Sequence, residues 1–321
     1  MSNEILCYLA FNMKQYLISV VVCTYNRDDL LGTCLESLVA QTADKSLYEV
    51  IVVNNNSTDH TQKVADGFAH QYPNFRVIFE SAISLSHARN CGWKEAQGEY
   101  VAYIDDDAQA SPDWCERILK AFSNVKPAPV AVGGKILPWY ESSPPVWFSD
   151  ELETRTWGDE AGFLKPPRDA YGFSGSNMAF PRRIFYKLGG FSTGFGMVGG
   201  KLRMGEDTEF FFRLYKNGKD KIWYDPEIQV KHFTPTTHFF LSYRLKRAYV
   251  TGTSYAYLKS SWSNYSSWIK SLLGIPYVIL KEIINALSAS SYDRSKLVKS
   301  SQNIAHQTGC FIEMTRRLIR C

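Results

Sequence analysis

Four short runs constrain this chain more than anything else in it: "ISVVV" at 18–22, "VIVV" at 50–53, "RVIF" at 76–79 and "YVAYI" at 100–104. They are rich in β-branched and aromatic residues, and they do not alternate apolar with polar. A strand with one face in water must alternate, so these strands have both faces covered, as in a parallel sheet. Helical patterns separate them. Within 28–41, Leu31, Cys34, Leu35 and Leu38 form a 3,4-spaced stripe. Weaker helical patterns cover 60–70 and 86–97. Ser111-Pro112 offers an N-cap serine and a first-turn proline, with Trp114, Ile118, Leu119 and Phe122 on the buried side. Strands alternating with helices predict a doubly wound, mainly parallel α/β sheet. In such sheets ligands collect at the carboxyl ends of the strands.

The second half is less regular. Residues 138–170 are rich in Pro, Trp and charge and read as a long loop region, in which "SPPVWF" excludes a regular helix. "PRRIFYKLGGF" (181–191) predicts a short helix ended by Gly189-Gly190, and "EDTEFFFRLYKNG" (206–218) another ended at Gly218. After Pro235 the pattern becomes helical, aromatic and basic. The expected organisation is an N-terminal arm over 1–15, a catalytic domain over 16–235 and a helical extension over 236–321.

Charge separates the last two parts. The chain of 321 residues has a net charge of +4. From Phe240 onward there are twelve Lys/Arg and three acids, a surplus of nine that leaves the rest at −5. Mixed with Trp, Tyr and Phe, as in "YSSWIKSLLGIPYVILKEIINAL", this basic tail suits helices lying on an anionic membrane surface. It equally suits helices packed on the domain with their basic residues in water. It carries no recognised nucleic-acid module. Its longest apolar run, "SLLGIPYVIL", falls short of the roughly 18 residues of a membrane span. The first residues lack the basic start and small-residue cleavage site of a signal peptide. Seven cysteines (7, 23, 34, 91, 115, 310, 321) form no CxxC pair and read as reduced thiols of a cytosolic protein, one that could also sit peripherally on the inner face of a membrane.

Four strand ends bring polar residues together. The first gives Thr24, Tyr25, Asn26 and Arg27; the second Asn54, Asn55, Asn56 and Asp59; the third leads to Arg89 and Asn90; the fourth ends in Asp105, Asp106 and Asp107. Asn can read a base or ribose, and Arg can pair with a diphosphate. In an extended segment, residues two apart share a face, so Asp105 and Asp107 point together and Asp106 points away. Carboxylates this close repel unless a cation joins them, and an oxygen-rich site favours Mg²⁺ or Mn²⁺. Solvated turn acids would give the same triplet, so the argument rests on the convergence of all four ends.

These segments also carry a resemblance. "VVVCTYNRDDLLGTCLESLVAQT", "EVIVVNNNSTDHT", "ARNCGWKEAQGEYVAYIDDDA" and "GEDTEFFFRL", in this order, resemble the family 2 glycosyltransferases of the GT-A fold across about residues 17–235. The resemblance implies an inverting, metal-dependent transfer of a sugar from a nucleotide-diphosphate donor, a UDP-sugar first among them. The acceptor would be a hydroxyl of a glycan or lipid-linked molecule, as in surface polysaccharide synthesis. It assigns Thr24, Tyr25, Arg27, Asn54, Asn56 and Arg89 to the nucleotide. The family often has Asp where this chain has Asn54, and Asn can donate as well as accept. Asp107 would ligate Mn²⁺ or Mg²⁺, with Asp105 or Asp106 on the ribose, Asp105 also a candidate metal ligand, and His232 near the metal or diphosphate. Asp207 matches the family's base, with Glu206 its neighbouring competitor, although acids in a first helical turn also serve the helix dipole. Ser176 and Asn177 match an acceptor-side segment. Trp139, Trp147 and Trp157 read first as core. The glycine-rich 196–207 reads as a loop that closes over the donor.

Two rivals stand beside this reading. A nucleotidyltransferase of related fold would show a basic, glycine-rich phosphate loop after the first strand, which "CTYNRDD" is not. A non-catalytic nucleotide-sugar-binding or scaffold protein would have no need of both the Asp triplet and Glu206-Asp207.

Overall fold

The computed structural model describes residues 16–165, 172–197, 204–218, 221–262, 265–288 and 294–320. The expected N-terminal arm lies outside the described residues. One sheet forms the centre, with strands β1 (Ile18–Thr24), β2 (Tyr48–Asn54), β3 (Phe75–Phe79), β4 (Tyr100–Asp105), β5 (Ala108–Ala110), β6 (Ala131–Tyr140), β7 (Gly162–Phe163), β8 (Met178–Pro181) and β9 (Ile222–Thr234). Their order is β3-β2-β1-β4-β8-β6-β9-β5, with β7 pairing β9. The run β3-β2-β1-β4 is parallel, and β8 is antiparallel to both β4 and β6.

The non-alternating runs of β1, β2 and β4 follow from two covered faces, whereas β3, at the sheet edge, is only half-buried and leaves Phe79 exposed, against the expectation for that run. Val20, Val22, Val50, Val52 and Ile104 belong to one core cluster, with Leu31, Leu35 and Trp114 of the helices. Val21, Ile51, Val53 and Tyr103 belong to the other, with Phe180, Phe185 and Phe210. Each fully buried apolar side chain here contributes roughly 1.5–3 kcal/mol relative to exposure. Helix α1 (Leu31–Val39) buries the predicted stripe of Leu31, Cys34, Leu35 and Leu38. Helices α2 (Thr61–Gln71), α3 (Leu85–Glu95) and α4 (Trp114–Asn124) follow the second, third and fifth strands.

Two local expectations are corrected. Helix α4 starts at Trp114 with Asp113 at its N-cap position, while Pro112 lies in the preceding turn, where Trp114 N–H donates to the Ser111 carbonyl. The region 138–170 is not all loop, because β6 continues through Pro138 to Tyr140, paired in parallel with β9 (Pro138 opposite His232). Proline is tolerated there because β8 reaches only Val132 and Gly133 of β6, so the far edge needs no donor at 138.

Helices α5 (Arg183–Leu188) and α6 (Glu206–Lys216) form as predicted, with Gly189 and Gly218 at positive φ (77° and 64°) after their ends. The tail is three helices: α7 (Leu241–Trp262), α8 (Tyr265–Ser288) and α9 (Arg294–Arg320). Ala256, Leu272, Ile275, Cys310 and Met314 make a small core among them. A Cβ on Gly252 would sit 2.0 Å from the His306 carbonyl oxygen, and one on Gly309 would sit 2.3 Å from that of Tyr249, so α7 and α9 touch backbone to backbone. Arg244 fastens this bundle to the sheet domain. It is buried, donates to Glu153 Oε1 at 2.7 Å and to the Leu152 carbonyl at 3.1 Å, and stacks over Phe148.

Candidate active site

The chain runs from β1 through α1 to β2 on one side, and from β3 through α3 to β4 on the other. The crevice between β1 and β4 is therefore the topological switch point, where open α/β sheets place ligands. The register sets Cys23 opposite Asp105 and Thr24 opposite Asn54. A cleft of about 430 Å³ opens here, bounded by Thr24, Tyr25, Arg27, Asn55, the Asp triplet and His232.

The third metal-ligand candidate arrives from far along the sequence. β5 returns from the Asp triplet and pairs antiparallel with β9, Ala108 opposite His232. That register puts His232 Nε2 3.3 Å from Asp107 and 3.6 Å from Asp105. Asp105, Asp107 and His232 each offer one ligand atom within 4.8 Å of the others. Two hard oxygens and one imidazole nitrogen suit a divalent cation such as Mn²⁺ or Mg²⁺.

Electrostatics here reflect charges crowded together. Burial lowers His232, but Asp107 and Asp105 outweigh it and bring its pKa up to about 9. Burial raises Asp105, yet His232 and Arg89 hold it below the ordinary value. Asp106 stands outside that trio, 3.9 Å from Arg27, and burial with the Asp107 charge pushes it up to about 8. The split between Asp105/Asp107 and Asp106 is the one that strand alternation predicts.

The loops after β1 and β2 hold one another. Asn26, at φ 52°, accepts from Thr58 N–H at 2.7 Å, and Arg27 N–H donates to Thr61 Oγ1 at 2.8 Å. The Arg27 guanidinium lies 3.5 Å from Asp107 and is substantially exposed. Asn54 does not line the cleft. Its Oδ1 accepts from Ser57 N–H at 2.9 Å and its Nδ2 donates to Gln62 at 2.6 Å, so its amide is engaged in the turn. Asn56, at φ 64°, shapes the same turn and is also absent from the cleft wall. Asn55 is the one that borders it, with its amide tied to the carbonyls of Glu80 and Ala82.

Arg89 is buried and faces neither solvent nor the cleft. Its guanidinium bridges Glu206 at 2.6 Å and Asp105 at 3.5 Å. A Cβ on Gly175 would lie 1.8 Å from Arg89 Nη2, so the absence of a side chain at 175 leaves room for the bridge. Glu206 is itself buried. Burial first, then the Asp207 charge, raises its pKa against the pull of Arg89.

Its neighbour Asp207 is different. It is half-buried, accepts from Thr208 N–H at 2.6 Å and Gly175 N–H at 3.3 Å, and borders a second cleft of about 830 Å³. Of the two acids, Asp207 is the one with access to a bound molecule.

Asn177 is committed to the interior. It accepts from Trp114 Nε1 at 2.9 Å and donates to the carbonyls of Lys135 and Ile228. Ser176 is buried beside it and borders a small pocket shared with His232, Arg155 and Arg247. Trp139 and Trp147 pack on Phe233 and Phe148, whereas Trp157 packs on Phe173 and also lines the large cleft. The expected closing loop at 196–207 lies largely outside the described residues. Arg155 and Arg247 were not foreseen. Their signal was weak, since they are single arginines in an irregular segment and in a basic helix.

The family model for Glycosyl transferase family 2 matches residues 19–189, more than half of the chain. The chain belongs to that family. It is similar to the glucosyl-dolichyl phosphate glucuronosyltransferase of Haloferax volcanii, 29% identical over 258 residues covering 80% of this chain and 78% of the relative. It is likewise similar to the succinoglycan biosynthesis protein ExoM of Rhizobium meliloti, 29% identical over 255 residues, 75% of this chain and 74% of that one. Among solved structures, the mannosyltransferase PcManGT of Pyrobaculum calidifontis, in complex with GDP-Man and Mn²⁺, superposes with a TM-score of 0.63 at 18% identity, covering 92% of this chain and 86% of that one. At that identity the likeness speaks for the fold, and the fold is GT-A. In this family 2 glycosyltransferase, Arg89 links Asp105 at the switch-point cleft to Glu206 at the start of α6, whose neighbour Asp207 borders the second cleft.

Proposed function

We propose that this chain is an inverting, metal-dependent transferase that moves a sugar from a nucleotide diphosphate, a UDP-sugar first among the candidates, to a hydroxyl of a glycan or lipid-linked acceptor. The observation that carries the reading is the juxtaposition across Arg89. Asp105, Asp107 and His232 sit at one end of the bridge, and Glu206-Asp207 at the other.

Each residue then has a role. Thr24, Tyr25, Arg27 and Asn55 border the donor cleft, where Arg27, substantially exposed, would exchange Asp107 for a diphosphate. Asp105, Asp107 and His232 would hold Mn²⁺ or Mg²⁺, which when bound would neutralise charge on the leaving diphosphate. Asp207 accepts the proton of the acceptor hydroxyl as its oxygen attacks the anomeric carbon. The bond from that carbon to the diphosphate oxygen breaks, and the nucleoside diphosphate leaves with the electron pair. Glu206 is the weaker candidate for base because it is buried against Arg89. Arg89 acts as a positioning residue, holding Asp105 and the start of α6 in register.

The names of the relatives favour this setting, one acting on a dolichyl phosphate and one serving succinoglycan biosynthesis. Among the described residues no helix is long and apolar enough to cross a membrane. We assign residues 16–235 to the donor and chemistry, and 236–321 to the acceptor and an anionic lipid surface. The test is release of nucleoside diphosphate from a panel of UDP- and GDP-sugars, with Mn²⁺ or with EDTA. Release with Mn²⁺ that EDTA abolishes is expected. No release from any donor, or full release in chelator, would refute the proposal.

A further inference from the structure

The cleft beside Asp207 is roofed by the tail. Asp207, Trp157 and Phe173 form its floor, and Leu258, Ile275, Val278 and Met314 belong to α7, α8 and α9. Its volume of about 830 Å³ lies within the range of small-molecule sites. Asp207 is the sole acid among the described residues that line it, whereas Arg155, Arg247 and Lys259 are basic.

The two arginines stand in a local surplus of positive charge. Arg247 reaches Glu153 at 3.2 Å, but the same carboxylate already receives Arg244 at 2.7 Å. Arg155 spends its guanidinium on the carbonyls of Glu153 and Thr154. The Glu153 carboxylate therefore receives two guanidiniums directly, and Arg155 has no carboxylate of its own among the described contacts. Burial, and then the charge of Arg247, pull Arg155 below its ordinary pKa, the direction expected of a cation short of anions.

The far end of the cleft is aliphatic, and it opens onto an apolar surface. On α8, Leu273, Tyr277, Leu280, Ile284 and Leu287 repeat at steps of 4, 3, 4 and 3 along one face and are all exposed. Tyr277, 72% exposed, belongs to that face and to the cleft wall at once. A chain that left the cleft here would pass directly onto the stripe.

We propose that this cleft is the acceptor site and that it takes an amphiphile, with a phosphate against Arg155 and Arg247 and a hydrocarbon chain between α7, α8 and α9. This rests on the transferase reading above and narrows it to an acceptor whose reacting hydroxyl belongs to a sugar carried on a lipid phosphate. The tail is then a wall of the active site rather than an appendage. A free glycan would call for more amides and carboxylates than the one of each, Gln307 and Asp207, among the described residues of the walls.

Isothermal titration of the full chain with geranyl phosphate, geraniol and inorganic phosphate tests the assignment without any donor, so its outcome is independent of donor turnover. Geranyl phosphate should bind at least tenfold more tightly than either fragment. Arg247→Gln and Arg155→Gln should each weaken geranyl phosphate several-fold and leave geraniol unchanged, whereas Ile275→Asp should weaken both. Titration of UDP with Mn²⁺ into the arginine variants separates the two sources of phosphate, and unchanged UDP affinity supports the acceptor assignment. The proposal is overturned if the arginine variants lose UDP rather than geranyl phosphate. It is equally overturned if geraniol or inorganic phosphate binds as well as geranyl phosphate.

Discussion

Asp207→Asn and Glu206→Gln change neighbouring acids by the same chemistry, and the structure assigns them opposite consequences. Asparagine at 207 keeps an oxygen to accept Thr208 N–H, now at 2.6 Å, but no longer takes a proton. Loss of a general base lowers turnover by roughly 10²–10⁴-fold, which is about 3–5.5 kcal/mol in the barrier. Stability should change little, because removing a half-buried acid's charge from a first helical turn costs about 0.3–1 kcal/mol. Glutamine at 206 leaves Arg89 buried with Asp105 at 3.5 Å as its remaining carboxylate. Breaking a buried ion pair from one side costs about 3–5 kcal/mol, softened here by Asp105. The assay is nucleoside diphosphate release at saturating Mn²⁺, read beside thermal melts of both variants and titrations of UDP. Asp207→Asn should melt within a few degrees of the parent, bind UDP normally and barely turn over, whereas Glu206→Gln should melt far earlier. Near-normal turnover in Asp207→Asn would refute the assignment of the base. A Glu206→Gln protein that melts like the parent but is inactive would show the two acids to be reversed.

Two further outcomes concern the tail. Burial alone would raise Glu153, but His238, Arg247 and Arg244 hold its carboxyl well below the usual range. A depressed folded pKa contributes stability that is present above the unfolded value of about 4.3 and is lost as pH falls below it. Melting temperature should therefore drop below about pH 4.5 more steeply in the parent than in Glu153→Gln, and parallel profiles would show that this anchor contributes nothing. If α8 lies on lipid, the chain should co-sediment with anionic vesicles and release at high salt. Leu280→Glu with Leu287→Glu should abolish binding without lowering the melting temperature, since those side chains are 56% and 81% exposed. Equal partition of parent and double variant would reject the lipid face.

How much of this could be read from the residues alone depends on the distance over which each feature is decided. The parallel core was legible because both-sided burial leaves a local mark, the run without alternation, and β1, β2 and β4 all carry it. The grouping of Asp105 with Asp107 was legible too: residues two apart in an extended segment share a face, and the trio completed by His232 leaves Asp106 out. β6, β8 and β9 were harder. Pro138 argues against a strand until β8 is known to stop at Gly133, with the Arg155 bridge ending at Ile136, so that no neighbour on that edge needs a donor at 138. Side-chain roles were the least legible, because they depend on what the rest of the chain brings near. Asn54 and Asn55 are adjacent and chemically identical, yet a single step along the turn sends one amide to Gln62 and leaves the other beside the cleft. Arg89 has the chemistry of a phosphate ligand, but Glu206, 117 residues later, takes its guanidinium. Arg155 and Arg247 show the converse, for neither belongs to a motif. Their meaning comes from a bundle that folds back over Asp207 and, for Arg247, from the Glu153 carboxylate that it must share with Arg244.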